Sequence, residues 1–385
     1  MSSESSPPLI AAQLNHLALH FPLLAKIEPK WSGSKDYSGV LDRFTLAISY
    51  CLDFIKWDVI FDAEYPMSAP DIIFGPEDES FQQFLVLHGE DPKSPMNRLG
   101  GWDSRDPTQL MLLVQELRDQ YMAYQMKRVG EVQDDRVKFE ISTIAFREMI
   151  VLIPSTFLQG IEMHLSSGYD KPEEVKFAVP LVDTNINKMV PGCPWIYPQK
   201  IYLQVIYPVE NKFVSTPSAP RLKLVATPDL KTLFSIDDVK LPTWLTGMCM
   251  AEYLPPLEET LEKQVLEAVS LIDVRRRFIE ALAVQFGRPV EADPIFCRKA
   301  TFLAASGVFT FLVHLTITTQ FPKQPPAIVL QSSQHFNPQG VPIKSLPLTD
   351  YPFSPRWEAS LMAERIWDFL ADEALIFKKY CNEQY

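Results

Sequence analysis

The sequence predicts an α+β chain in which an antiparallel meander sheet with flanking helices is repeated in tandem. Three observations carry this prediction. A strand running into an aromatic-Pro pair and then a Pro-led second strand occurs three times. The copies are IKWDVIFDAEYPMSAPDIIF with Tyr65-Pro66 and Pro70, IYLQVIYPVENKFVSTPSAPRLKLV with Tyr207-Pro208 and Pro220, and FTFLVHLTITTQFPKQPPAIVL with Phe321-Pro322 and Pro325-Pro326. Each copy is followed by a tryptophan at nearly constant distance: Pro66 to Trp102 and Pro208 to Trp244 span 36 positions, and Pro322 to Trp357 spans 35. A long helical pattern then follows each tryptophan. Self-similarity on this scale marks duplicated domains. The expected units are 1–130, a divergent 131–270, and 271–385, each of common domain size.

The elements follow in order. Residues 1–8 are Ser/Pro-rich and expected to fray. Pro7-Pro8 then open a short apolar helix with Leu9, Leu14, Leu17 and Phe21 as buried candidates. FTLAISY (44–50) and IKWDVIF (55–61) read as neighbouring strands; in the second, Ile55, Trp57, Val59 and Phe61 alternate with Lys56, Asp58 and Ile60. Residues 76–106 read as a long loop holding Trp102, with Glu77, Asp78 and Glu79 as a solvated acidic run. PTQLMLLVQELRDQYMAYQMKRV opens with Pro and repeats Leu110, Leu113, Val114, Leu117, Tyr121 and Tyr124 at helical spacing. In the middle unit EMIVLIP, FLQGIEMHL, VKFAVPLV and IYLQVIYP are strand-like. The stretch 257–286 is a long helix expected to end the second unit and begin the third. FLAAS, VFTFLVHLTITTQFP and PPAIVLQSS supply the last strands, followed by YPFSPRW (351–357) and the helix LMAERIWDFLADEALIFKKY. No Gly/Ser-rich or acidic linker separates the units, so shared helices are expected to join them.

The net charge of −12 argues against nucleic acid or an anionic membrane as the main partner, since both need clustered Lys and Arg. The densest basic run, Arg275-Arg276-Arg277, lies in a helical pattern and reads as a solvated or partner-facing surface. Five cysteines, Cys51, Cys193, Cys249, Cys297 and Cys381, are scattered without a CxxC pair, which fits reduced thiols and a cytoplasmic or nuclear compartment. No signal peptide is read at the N-terminus, and no apolar run approaches the length of a membrane helix. His16 and His20 could share a helix face, but no carboxylate or Cys ligand accompanies them, so a surface pair is favoured over zinc. His314, inside a strand, is expected to be hydrogen-bonded in the core or on the sheet face. No nucleotide or hydrolase motif occurs, and no cofactor is expected.

The strand–YP–P–W–helix arrangement resembles the ubiquitin-conjugating fold. That family's chemistry needs a cysteine shortly before the tryptophan, with an upstream asparagine to stabilise the oxyanion. Residues 71–102 and 327–357 contain no cysteine, although Asn97 and Asn337 lie there. Cys249 follows Trp244 instead of preceding it, and Cys193 precedes the strand pair; both are expected to be buried apolar residues. The sequence therefore reads as non-catalytic. An active conjugating enzyme using Cys249 and an RWD-type adaptor in an unrelated assembly stand as alternatives.

FIKWDVIFDAEYPMSAPDIIFGPED (54–78) and YPFSPRWEASLMAERIWDF (351–369), with the three-unit layout, resemble the family of brain and reproductive organ-expressed (BRE) proteins. The resemblance implies ubiquitin-conjugating-enzyme-variant (UEV/RWD-like) domains that have lost the catalytic cysteine. It implies a scaffold subunit of the BRISC deubiquitinase and the nuclear breast-cancer A complex, which act in DNA-damage responses, mitosis and cytokine signalling. Such a scaffold holds a JAMM-type zinc deubiquitinase and its inert Abraxas-type partner to a von Willebrand-A-like subunit. It would also dock ubiquitin chains or cargo, and the zinc would belong to the deubiquitinase. Phe353, Arg356, Trp357, Trp367 and Tyr380 are the candidate partner contacts. Trp57, Trp102 and Trp357 are more simply core or loop-pinning aromatics; on that reading Trp357→Ala costs about 3–5 kcal/mol.

Overall fold

Alternation in the sequence becomes three antiparallel sheets in the computed structural model, which describes residues 6–22, 25–32, 40–62, 64–75, 78–87, 95–150, 160–168, 171–181, 186–209 and 219–383. The chain forms two compact units. The first comprises Met1–Pro180, Tyr202–Val225 and Trp244–Tyr253; the second comprises Leu181–Ile201, Ala226–Thr243 and Leu254–Tyr385.

In the first unit, α1 (Pro8–His20) begins on a proline, where a fixed φ and a missing N–H cost nothing. It buries Ile10, Gln13, Leu14 and Leu17, while Leu9 and Phe21 are half-buried. β1 (Ala25–Trp31), β2 (Arg43–Tyr50), β3 (Asp53–Ile60) and β4 (Asp71–Ile73) form a meander in that order. Trp57 and Val59 on β3 and the following Phe61 are buried and Lys56 is exposed, as the alternation requires. The β2–β3 hairpin closes through Cys51-Leu52, with φ of 50° and 63°. Two-residue hairpin turns need this left-handed backbone and usually obtain it from Gly or Asn. Here Cys51 is buried and Leu52 packs against the core, so side-chain burial offsets the conformational cost.

The stretch 76–106, expected to be a loop, contains α2 (Glu79–Leu87) and α3 (Pro95–Gly100). Phe81, Phe84 and Leu85 are buried at helical spacing, a signal masked by the surrounding Gly, Pro and Asp. The Phe81 ring lies 6.2 Å from Trp57 and 5.1 Å from Tyr121. Asp78 is not solvated: it is buried and accepts the Tyr121 hydroxyl at 2.8 Å. Trp102 is half-buried, 6.4 Å from Phe61. α4 (Gln109–Glu131) buries all six residues named from its periodicity.

α5 (Asp135–Ile150) is capped by Asp134, whose Oδ1 accepts the N–H groups of Arg136 and Val137 at 2.9 and 3.2 Å. It absorbs Glu148-Met149-Ile150, expected to start a strand; residues 151–159 lie outside the described set. The second sheet runs β5 (Glu162–Gly168), β6 (Lys171–Leu181), β7 (Ile201–Pro208), β8 (Arg221–Ala226). The longer loop expected between Pro208 and Pro220 falls largely on residues 210–218, also outside the described set.

The second unit holds α6 (Ile186–Met189) and most of α7 (Met250–Phe286), which starts seven residues earlier than 257 and includes Pro255 and Pro256. A five-stranded sheet follows. β9 (Glu291–Ala292), β10 (Lys299–Ser306), β11 (Phe309–Thr316), β12 (Ala327–Phe336) and β13 (Pro342–Lys344) stand in the order β13-β12-β11-β10-β9. α8 (Ala359–Glu383) buries a stripe of Met362, Ala363, Ile366, Leu370, Ala374, Phe377 and Cys381.

The three sequence copies agree most closely at the second proline. Pro70, Pro220 and Pro326 are all buried and directly precede β4, β8 and β12, where no ladder bond is lost for want of an N–H. The aromatic-Pro pair is less uniform. β3 and β11 end five residues before Tyr65 and Phe321, whereas β7 runs through Tyr207-Pro208. Tyr207 and Phe321 are buried, but Tyr65 is 66% exposed. Pro66, Pro208 and Pro322 are half-buried. α4, α7 and α8 follow Trp102, Trp244 and Trp357.

Candidate interaction surface

Acyl transfer through cysteine requires an accessible thiolate. Cys51, Cys249, Cys297 and Cys381 are buried. Burial pushes the Cys51 thiol up, reinforced by the neighbouring Glu162 carboxylate, and burial likewise raises Cys297 and Cys381. Cys249 sits at the N-terminus of α7, where its N–H faces Glu252 Oε2 at 3.3 Å and the Met250 N–H donates to Glu140 Oε2 at 2.8 Å. Its surroundings serve helix capping. Cys193, expected to be buried, is only half-buried, because it closes the exposed turn Val190–Cys193. Asn337 Oδ1 accepts the N–H groups of Gln339 and Val341, a local turn role.

His16, His20 and His314 are used structurally. His16 and His20 stack at 4.0 Å, with His20 Nδ1 3.0 Å from the His16 carbonyl oxygen. His314 lies on the sheet face, Nδ1 3.0 Å from Thr301 Oγ1 and Nε2 3.1 Å from Gln331 Oε1. Among the described residues no group of three or more His, Cys, Asp or Glu could hold a metal ion, and no helix is long and apolar enough to cross a membrane.

The basic run needs correction. Arg276 and Arg277 are exposed and pair with Asp273, but Arg275 is fully buried. Helical phase puts Arg275 on the stripe of Ile272, Phe278 and Leu282, where its Nε donates to the Phe296 carbonyl at 2.9 Å. Its Nη1 and Nη2 are buried without a hydrogen-bond partner. Burial, aided by Arg298, pulls its pKa down to about 10.

The five contact candidates do not converge on one site. Phe353 is half-buried, 6.2 Å from Phe321 and 6.4 Å from Tyr351, and so serves packing. Arg356 is exposed and Trp357 half-buried in the turn closed by Trp357 N–H to Ser354 O at 3.2 Å. Trp357 is thus not a full core residue. Trp367 is 38% exposed and meets Phe286 edge-on at 4.7 Å; Tyr380 is 43% exposed beside Phe377. Thirteen residues separate Trp367 and Tyr380 on α8, about 20 Å of rise and more than a third of a turn apart in phase. The sequence reading missed Leu375 and Ile376, 60% and 62% exposed. Ile376 lies one turn before Tyr380, so an exposed apolar strip runs off the buried stripe. The signal was available: in the periodicity of α8, Leu375 and Ile376 are out of phase with Ala374 and Phe377.

These features define an α+β protein of repeated antiparallel meanders with long helices. A family model described as Brain and reproductive organ-expressed protein (BRE) matches residues 13–336, and the chain belongs to the BRE family. It is 27% identical over 361 residues to "BRISC and BRCA1-A complex member 2" of Branchiostoma floridae, covering 91% of this chain and 86% of that relative. It is 30% identical over 330 residues to the protein of the same name from Danio rerio, covering 84% of this chain and 80% of the relative.

Proposed function

We propose that this chain is a non-catalytic scaffold subunit of a BRISC- or BRCA1-A-type complex. In this reading it holds a JAMM-type zinc deubiquitinase and an Abraxas-type subunit to a von Willebrand-A-like subunit, in cytoplasm and nucleus, and docks ubiquitin chains. Membership is carried by the likeness, over more than four-fifths of the chain, to relatives named as members of those complexes. The scaffold role is supported by the burial of Cys51, Cys249, Cys297 and Cys381 and by the raised thiols of Cys51, Cys297 and Cys381, which suit packing rather than acyl transfer. The division into UEV-like units over 1–130, 131–270 and 271–385 is supported by three meander sheets, each with a buried proline leading a strand. Ile376, Tyr380 and Trp367 are the contact residues we assign on α8.

The test is purification at native level, followed by mass spectrometry and polyubiquitin cleavage with and without a zinc chelator. Stoichiometric recovery of a JAMM-type subunit with chelator-sensitive cleavage is expected. Recovery without any deubiquitinase would discard the reading in favour of an adaptor for another assembly. A ubiquitin thioester lost on Cys249→Ser would also overturn it.

A further inference from the structure

Open sheets have outer strands, and several of those in this chain are guarded against pairing with a further strand. β1 carries Lys26, Glu28 and Pro29, and β8 carries Arg221 and Lys223. The half of β3 that β4 leaves uncovered carries Asp53 and Lys56. On β5 the Met163 carbonyl accepts the Tyr50 hydroxyl at 2.6 Å, and the Leu165 N–H donates to Gln125 Oε1 at 3.2 Å. Charge, proline and cover are the usual means of blunting a sheet edge.

β10 departs from this. It pairs with β11 along Lys299–Ser306, but β9 meets it only at Ala300 and Thr301. Backbone groups of an antiparallel strand alternate between its two sides. On the β9 side the Lys299 and Thr301 carbonyls accept the N–H groups of Asp293 and Val290 at 2.9 and 2.8 Å. Leu303 and Ala305 share that phase, so their N–H and C=O groups face outward beyond the end of β9. The stretch Phe302–Ser306 contains no charge and no proline. Leu303 is 51% exposed, and Ala305 is exposed. On the helix side of this edge, half-buried Phe286 packs 5.4 Å from Phe302 and 4.7 Å from the partly exposed Trp367.

We infer that the Phe302–Ser306 edge of β10 docks an extended, proline-free segment of a partner protein, which adds to the sheet as a further strand. The outward N–H and C=O groups of Leu303 and Ala305, in strand spacing, select a peptide backbone as the occupant. Side chains of the added strand alternate between faces. Those on the helix side meet Phe286 and Trp367, and those on the other face meet Leu303, so apolar residues are selected at both. A second copy of β10 is the poorer occupant. A two-fold antiparallel pair puts α7 and α8 of both copies on one face of the joined sheet, where both copies of Phe286 and Trp367 contend for the same space. The strand donor is a subunit of the assembly proposed above, and to that extent the inference rests on that reading.

Amide hydrogen exchange resolved to single residues tests it, comparing the free full-length chain with the chain reconstituted with JAMM-type, Abraxas-type and von Willebrand-A-like subunits. In the free chain the Leu303 and Ala305 amides should exchange at least about tenfold faster than those of Phe302 and Ala304, and in the assembly all four should be slow. Ala305→Pro removes an outward N–H without touching the β11 ladder and should weaken assembly about tenfold, the worth of one hydrogen bond. Leu303→Lys, at an exposed position, supplies the missing guard and should weaken assembly several-fold with an unchanged melting curve. A photo-crosslinking phenylalanine analogue at position 303 should join to one segment of a partner subunit. Wild-type assembly with normal chelator-sensitive cleavage leaves the scaffold reading standing but overturns this inference on any of three results. The Leu303 and Ala305 amides are already slow in the free chain or stay fast in the assembly; the crosslink joins a second copy of this chain; or Leu303→Lys, or a folded Ala305→Pro, assembles at full affinity. Failure of the wild-type chain to assemble overturns both.

Discussion

Glu162 is the residue whose loss most directly tests how the first unit is held together. Its Oε1 pairs with Arg118 Nη2, and its Oε2 accepts the Cys51 N–H at 2.5 Å, inside the left-handed β2–β3 turn. The Tyr50 hydroxyl donates to the Met163 carbonyl at 2.6 Å beside it. Each charged side chain of the pair retains 19% exposure. Removing one member of a fully buried pair costs about 3–5 kcal/mol, and partial exposure reduces that. Arg118 also keeps a bond from Nε to the Ser49 carbonyl at 3.2 Å and its place over the Tyr50 ring. The Cys51 N–H left without an acceptor adds about 1–2 kcal/mol. Glu162→Ala should therefore destabilise the first unit by about 2–4 kcal/mol, and Glu162→Gln, which keeps one acceptor, by about 1–2 kcal/mol. Urea unfolding followed by tryptophan fluorescence and far-UV circular dichroism measures both, and a cycle with Arg118→Met isolates the pair. A Glu162→Ala loss within about 0.5 kcal/mol, the range of ordinary surface changes, would refute the claim that this carboxylate organises the hairpin turn.

Three further outcomes are expected. Burial pulls His164 down to about 4 from 6.5, with Lys176 and Arg128 adding and Asp53 opposing. The unfolded chain then binds the extra proton between those values, so stability is full above pH 6.5 and falls by about 2–3 kcal/mol as pH drops toward 4. His164→Phe should flatten that limb, and an unaltered pH profile would contradict it. Trp57→Ala should cost about 3–5 kcal/mol, but Trp357→Ala, at a half-buried site, only about 1–2 kcal/mol; equal losses by calorimetry would restore Trp357 to the core. Arg275→Met should raise the melting temperature, since it removes two buried, unpartnered nitrogens for the loss of one hydrogen bond to Phe296; a loss above about 1 kcal/mol would show that the guanidinium is satisfied in solution.

Local chemistry made much of the molecule legible from its residues. The i, i+3, i+4 recurrence of Leu110, Leu113, Leu117 and Tyr121 specified α4, and the alternation around Trp57 specified β3, because side-chain period and burial are coupled within one element. The prolines before β4, β8 and β12 were equally readable, since a residue without N–H fits there. α2 was missed because Gly, Pro and acidic residues surround it, although Phe81 and Phe84 already carried a helical spacing.

What the sequence by itself determined is the repeated α+β layout, the identity of most strands and helices, and the lack of a cysteine where the conjugating chemistry needs one. Tertiary structure decided which polar residues leave water. Asp78 is buried because the Tyr121 hydroxyl meets it, and Arg275 because its helical phase turns it inward beside the Phe296 carbonyl. It also decided which aromatics stay outside: Tyr65 is exposed while its counterparts Tyr207 and Phe321 are buried. Residue type and periodicity fix an element, but burial depends on partners dozens to hundreds of positions away, and no local pattern encodes those.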